Sequence, residues 1–160
     1  MTQQTTVRVA EHGPGLIVTV GSRACAIPLL SVGETMRPLP IVPVAGMPAF
    51  VLGVSVIRGA AIPVVDLRAL LGDDDRGGSP GRFVTLNVGE RRVAIAVDGV
   101  VGLRDLSTAP LAEMPPLLGE AAAELIAAIG ICDAQLLVVL RTVQIVPEQV
   151  WRLLDARESA

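Results

Sequence analysis

Short aliphatic runs, often alternating with small or polar residues and closed by glycine or proline, set the rhythm of this chain. Leu16-Ile17-Val18-Thr19-Val20, the turn Gly21-Ser22 and Ala24-Cys25-Ala26-Ile27 read as a hairpin that Pro28 ends. Residues 29–36 read as a short helical turn. Pro38, Pro40, Pro43 and Pro48 then forbid regular helix, because each lacks an amide donor and has a fixed φ. A second hairpin runs from Phe50 to Ile57, turns at Arg58-Gly59, and returns from Ala60 to Val65. Asp66 precedes a short helix over Leu67 to Leu71, stopped by Gly72.

Asp73 to Gly81 is charged and glycine-rich and reads as an exposed loop. Arg82 to Val88, Gly89-Glu90 and Arg91 to Val97 form a third hairpin, with Val93, Ile95 and Val97 spaced as in a half-buried strand. Asp98 to Gly102 reads as a bend and Pro110 to Pro116 as a linker. Alanine content predicts a helix over Glu120 to Ala128. Leu136 to Leu140 is a further strand. Pro147 to Arg157 is a C-terminal helix with an apolar face of Val150, Leu153 and Leu154. A weak repeat links these segments. Ala26-Ile27, Leu29 and Val32 match Ala94-Ile95, Val97 and Val100 at one offset. Ile62, Val64, Val65 and Leu70 match Leu137, Val139, Leu140 and Ile145 at another. Two similar β modules packed on one another are expected.

Composition narrows the chemistry. At 160 residues and 51% apolar, the chain can bury a large core and still have apolar surface for a partner. No apolar run approaches the ~18 residues of a membrane span. The N-terminus has no long apolar stretch of signal-peptide type, so a soluble, intracellular protein is expected. A net charge of −3 without a basic block argues against nucleic acid, and the 2% aromatic content against base stacking. The chain has no lysine, hence no Schiff-base nucleophile and no P-loop. Its one histidine, His12, rules out a His-rich metal site. Cys25 and Cys132 sit among apolar residues and read as small core side chains rather than a disulfide.

Three aspartate features carry candidate chemistry. Asp66 at a strand end reads either as a catalytic or phosphoacceptor acid or as an N-cap. The cap is favoured because no second acid or lysine lies nearby. Asp98 reads as a turn residue. Asp73-Asp74-Asp75 lacks the spaced ligands of a calcium loop and reads as a solvated charge run. No catalytic residue, metal site or cofactor is expected.

Three blocks, in order, then resemble the CheW family of bacterial chemosensory adaptors. They are Val32 with Glu34; Pro48 to Val54 running through Ile57-Arg58-Gly59 to Ile62-Pro63-Val64-Val65-Asp66-Leu67-Arg68; and Val97-Asp98-Gly99-Val100. The resemblance implies a mainly β fold: two SH3-like five-stranded barrels on a shared hydrophobic core, with short helices and a C-terminal helix. Residues 12–155 are expected to form this single domain, with a flexible leader over 1–11 and a tail over 156–160. It implies a non-catalytic adaptor without cofactors. Its partners would be the regulatory domain of a CheA-type histidine kinase, a chemoreceptor's cytoplasmic tip, and other CheW-like domains in rings. The protein would be cytoplasmic and recruited to membrane-associated receptor arrays.

The resemblance also pairs Arg58 with Glu34 and marks the surrounding turn as a partner-binding surface: Arg58, Glu34, Val56, Gly59 and Ile57. As a bare turn, Arg58-Gly59 would need only a glycine at positive φ and a solvated side chain. Three positions depart from the family pattern: Val56 stands for an asparagine, Cys25 for an aromatic residue and Arg141 for an aspartate. They leave an altered partner set open. Two other readings stand beside the adaptor: a small-ligand-binding or enzymatic β-barrel, and a self-assembling structural protein.

Overall fold

The two β modules read from the repeat exist, and they are interlaced. The structure, a computed structural model, describes residues 13–72, 79–106, 111–112, 126–132, 135–141 and 145–158. Its elements are β1 (Pro14–Val20), β2 (Arg23–Pro28), β3 (Val32–Met36), β4 (Val51–Ile57), β5 (Ala60–Asp66), α1 (Leu67–Leu70), β6 (Arg82–Val88), β7 (Arg91–Val97), β8 (Gly99–Asp105), β9 (Leu111–Ala112), β10 (Ile126–Cys132), β11 (Gln135–Leu140) and α2 (Glu148–Glu158). One sheet has the order β8-β1-β2-β11-β10-β9 and the other β3-β6-β7-β5-β4. The hairpin β1–β2 of the first half therefore lies in a sheet with β8, β10 and β11 of the second, and β6–β7 lies with β3, β4 and β5.

The registers obey one pseudo-twofold relation. Val18 faces Val100, as Leu86 faces Val32, and Leu16 faces Leu103, as Val84 faces Thr35. Both ladders carry a register shift between those pairs. The two parallel pairings also correspond: Val64 beside Ala94, and Val139 beside Ala26. Even the short edge pieces agree, since Val42 bridges to Val54 on β4 and Ala112 faces Ile129 on β10.

The side-chain pattern follows from having two faces to bury. Val18, Cys25, Ile27 and Val138 of one sheet meet Val84, Leu86, Val93, Ile95 and Val97 of the other in the shared core. The opposite faces close over smaller cores of their own. Ile17, Ala24, Ala26, Leu106, Leu137 and Val139 fill one; Ile57, Ile62, Val64, Phe83, Ala94 and Ala96 fill the other. Ala24, Ala26, Ala94 and Ala96 all lie in the smaller cores, whereas their strand neighbours Cys25, Ile27, Val93, Ile95 and Val97 lie in the shared one. That division is why Ala-Ile recurs at 26–27 and 94–95. It also explains why these strands read as nearly continuous apolar runs.

Several expectations need correction. Only Leu29–Ser31 form a helical turn, of the 3-10 kind, and Val32–Met36 are strand β3. Asp98 is a bend as expected, but Gly99 to Gly102 belong to β8, whose pairing with β1 keeps this glycine-containing segment extended around a bulge. Within the predicted linker, Leu111–Ala112 are strand β9, and the end of the predicted helix, residues 126–128, belongs to strand β10. Sheet pairing overrides alanine's helix propensity there. On α2, Val150, Trp151 and Leu154 are buried while Leu153 is 46% exposed, so Trp151 takes the place expected of Leu153. The leader with His12, residues 73–78, and the remainder of the predicted linker and helix lie outside the described residues. No helix among the described residues is long and apolar enough to cross a membrane.

Candidate interaction site

The β4–β5 hairpin turns in two residues, Arg58 and Gly59, with φ of +54° and +78°. Two successive positive φ values define a turn whose twist matches that of paired strands, and it is easiest for Asn-Gly or Gly-Gly. Gly59 meets the requirement without strain; Arg58 carries a Cβ into the left-handed region.

The turn delivers the Arg58 guanidinium to Glu34 on β3. Nε donates to Oε1 at 3.1 Å and Nη2 to Oε2 at 2.8 Å, a bidentate pair. The Arg58 side chain is 72% exposed and that of Glu34 31%. Glu34 is fixed from below. Its backbone N–H donates to the hydroxyl of buried Thr85 at 2.8 Å, and that hydroxyl donates to the Glu34 carbonyl at 3.4 Å. β3 approaches this closely because residue 33 is glycine; a Cβ there would lie 2.6 Å from the Thr85 hydroxyl oxygen. The hydrogen bond from Arg58 holds the Glu34 carboxyl below its ordinary pKa, against partial desolvation, and the charges of Arg58 and Arg92 add to the effect. Glu34 raises the Arg58 pKa in turn.

Val56 is 69% exposed, opposite Ala61 on β5. Val42, 66% exposed, bridges to Val54 two residues away and continues the apolar strip. Ile57 is separated from this surface: it is 1% exposed, in the core with Ile62, Val64 and Phe83. The hairpin thus brings Arg58, Gly59 and Val56 to the surface beside Glu34 of β3 and turns Ile57 inward, as alternation along a strand requires. Of the other departures, Cys25 is fully buried and Arg141 exposed. Burial pushes the Cys25 thiol up to about 12, with Arg23 acting against it, and the thiol is free. The Cys132 side chain lies outside the described ones.

The aspartates are structural. Asp66 caps α1, its Oδ1 accepting from the Arg68 N–H at 3.0 Å. Asp98 does more than turn the chain. Its Oδ2 accepts from the Gly21 N–H at 2.6 Å and from Arg68 Nη2 at 2.7 Å, tying the β1–β2 turn, α1 and the end of β7 together. Two arginines at equivalent positions of the repeat hold the helices. Arg23, first in β2, donates to the Leu71 carbonyl at the end of α1 at 2.9 Å. Arg91, first in β7, lies 4.8 Å from the Trp151 ring centroid and 3.1 Å from Asp155 of α2. A groove of about 280 Å³ runs between α2 and the β4–β5 hairpin. Thr85, Arg92, Asp98 and Val42 were not readable as parts of a surface. For Arg23 and Arg91 the repeat held a signal, since they share the offset of Ala26 and Ala94.

Comparison with known proteins gives one consistent answer. The family model described as CheW-like domain matches residues 14–150. Chemotaxis protein CheW of Klebsiella aerogenes is 27% identical over 141 residues, covering 88% of this chain and 85% of its own. Protein FrzA of Myxococcus xanthus is 35% identical over 106 residues, 66% of either chain. The crystal structure of scaffolding protein TtCheW from Thermoanaerobacter tengcongensis superposes with a TM-score of 0.71 at 20% identity, covering 81% of this chain and 88% of that one.

Proposed function

Because the chain belongs to the CheW-like domain family, we propose that it is a non-catalytic adaptor coupling chemoreceptor signalling tips to a CheA-type histidine kinase. The match over residues 14–150 carries this reading, and the relatives named for chemotaxis and scaffolding support it. The working unit is one domain over residues 12–155 made of two barrel subdomains. Its partner-facing surface is the β4–β5 turn: Arg58 oriented by Glu34, Gly59 shaping the turn, and Val56 supplying apolar contact. Ile57 contributes by anchoring the hairpin from inside. An exposed ion pair such as Glu34–Arg58 is worth only ~0–1 kcal/mol of stability. Its use on this reading is to present the arginine. The partners are the kinase's regulatory domain, the receptor tip, and other CheW-like domains in rings, at arrays on the cytoplasmic side of the membrane.

The test is a pull-down with a CheA regulatory domain and, separately, a receptor signalling tip, with Arg58→Ala as the control. The wild type should bind both, and Arg58→Ala should weaken at least one while melting within a few degrees of wild type. Binding to neither partner refutes the adaptor reading.

A further inference from the structure

The strap between β3 and β4 carries a pattern that neither the fold nor the turn at Arg58 uses. Residues 37–43 read Arg37-Pro38-Leu39-Pro40-Ile41-Val42-Pro43, an R-x-x-P-x-x-P sequence. Each proline holds its own φ near about −65°. Each also pushes the residue before it, Arg37, Leu39 or Val42, into the extended region. Of the seven, Ile41 alone escapes both restrictions. The conformation this favours is a polyproline II path with three residues per turn. On that path Arg37, Pro40 and Pro43 share one ridge, Leu39 and Val42 a second, and Pro38 and Ile41 the third.

The strap is anchored through the third ridge. Ile41 packs on the core of Ile57, Ile62 and Phe83. Arg37, Leu39, Pro40, Val42 and Pro43 are exposed, as is Pro38 where the strap leaves β3. The buried Ser55 hydroxyl donates to the Pro40 carbonyl at 2.7 Å. Val42 and Val54 exchange backbone hydrogen bonds of 2.8 and 2.9 Å. The strap lies this close to β4 because residue 53 is glycine, with φ of +147°; a Cβ there would collide with the Val42 carbonyl. A segment already held extended has little freedom left to lose on binding. Arg37 has neither a hydrogen bond nor an ion pair among the described residues, so one end of the strap is an uncompensated cation.

We propose that residues 37–43 are a docking ligand for an SH3-type domain of a partner protein. Two aromatic-lined pockets of its groove take Leu39-Pro40 and Val42-Pro43, and a carboxylate at the groove's end takes Arg37. A second copy of this chain cannot supply that groove. The chain has no tyrosine, Phe83 and Trp151 are buried, and Phe50 is half-buried against the shared core. This partner is additional to the kinase and the receptor, and the proposal does not rest on the adaptor reading.

The experiment is an NMR titration of an isotope-labelled SH3 domain, selected for R-x-x-P-x-x-P peptides, with the full chain. A synthetic peptide of residues 36–44 is the reference, and every variant is melted to show that it folds. The full chain should shift the groove resonances and bind at least as tightly as the peptide, because its strap is already ordered. Arg37→Glu and Pro40→Ala should each weaken binding about tenfold or more, and Pro38→Ala, off both outward ridges, by less than about twofold. Arg37→Glu carries the test alone if Pro40→Ala unfolds, since Arg37 is exposed and unpaired. A peptide that binds while the full chain does not overturns the proposal, because the fold then hides the ligand face. So does binding by neither, or binding that Arg37→Glu leaves unchanged or that Pro38→Ala weakens as much. Self-association in sedimentation that the same variants abolish also overturns it, by assigning the strap to a second copy.

Discussion

Asp98→Ala is the substitution that most directly tests how the interlaced halves are held. One carboxylate oxygen serves two donors from two places, the Gly21 N–H at 2.6 Å and Arg68 Nη2 at 2.7 Å. The Arg68 side chain is only 15% exposed, whereas that of Asp98 is 42% exposed. A hydrogen bond to a charged acceptor contributes about 1.5–3 kcal/mol. The half-exposed ion pair adds at most about 1 kcal/mol after screening. Together these give a loss of about 1.5–4 kcal/mol for Asp98→Ala. At about 2–4 °C per kcal/mol for a chain of this size, the melting temperature falls by about 3–16 °C. Asp98→Asn keeps an acceptor for Gly21 and loses the charge, so it should cost about 1 kcal/mol. Urea unfolding at equilibrium reads both, with the m-value as the check that the unfolded state is unchanged. The double variant with Arg68→Met should show a coupling of about 0.5–1 kcal/mol. If Asp98→Ala changes stability by less than about 0.5 kcal/mol, the level of an ordinary surface substitution, the clasp contributes nothing and the reasoning is wrong.

Three further outcomes follow from single residues. Trp151→Ala removes a ring that is 8% exposed and stacked by Arg91, and should destabilise by about 3–5 kcal/mol in the same urea assay. Cys25 favours its neutral form on folding, so its contribution is complete below its ordinary value of 9.0 and is lost as pH rises through about 12. Alkylation with peptide mapping should therefore leave Cys25 unmodified in the native state at pH 8 and label it in urea. The Glu34 carboxyl is held low by Arg58, so the pair is complete above the ordinary carboxylate pKa and breaks as pH falls through the lowered one. A carbon-detected NMR titration should show the Glu34 midpoint returning upward in Arg58→Gln.

The hairpins were legible because alternation and glycine turns are local signals, and all three appear in the structure with the expected turns. What escaped belongs to edges and pairing. β3 is short, pairs among the described residues with β6 alone and contains Gly33, so its five residues carry too little pattern to separate strand from turn. β8 contains Gly99 and Gly102, local marks of a bend, but its ladder with β1 keeps it extended around a bulge. At 126–128 alanine propensity pointed to helix, and the register Ile126 to Leu140 and Ala128 to Val139 decided otherwise. The repeat announced two equivalent modules. It could not announce that each lends strands to the other's sheet, because exchanging equivalent strands leaves the local sequence unchanged.

The same limit shaped the candidate site. Arg58 and Glu34 lie on different strands of one sheet, with β6, β7 and β5 between β3 and β4. No spacing rule joins residues that far apart in a ladder; only the family resemblance pairs them, and in the structure they meet as a bidentate pair. Arg92 and Thr85 had no such route, because nothing in their flanking residues marks a strand position that acts on Glu34. Val56 and Ile57 show the resolving power of one residue of register. Both are β-branched aliphatics at the end of the same strand, yet one is 69% exposed and the other 1%. Alternation assigns them to opposite faces once the strand's ends are known. The surface on which a partner would land is therefore decided by Gly59: a turn of a different length would shift the register by one, bury Val56, and carry Arg58 away from Glu34.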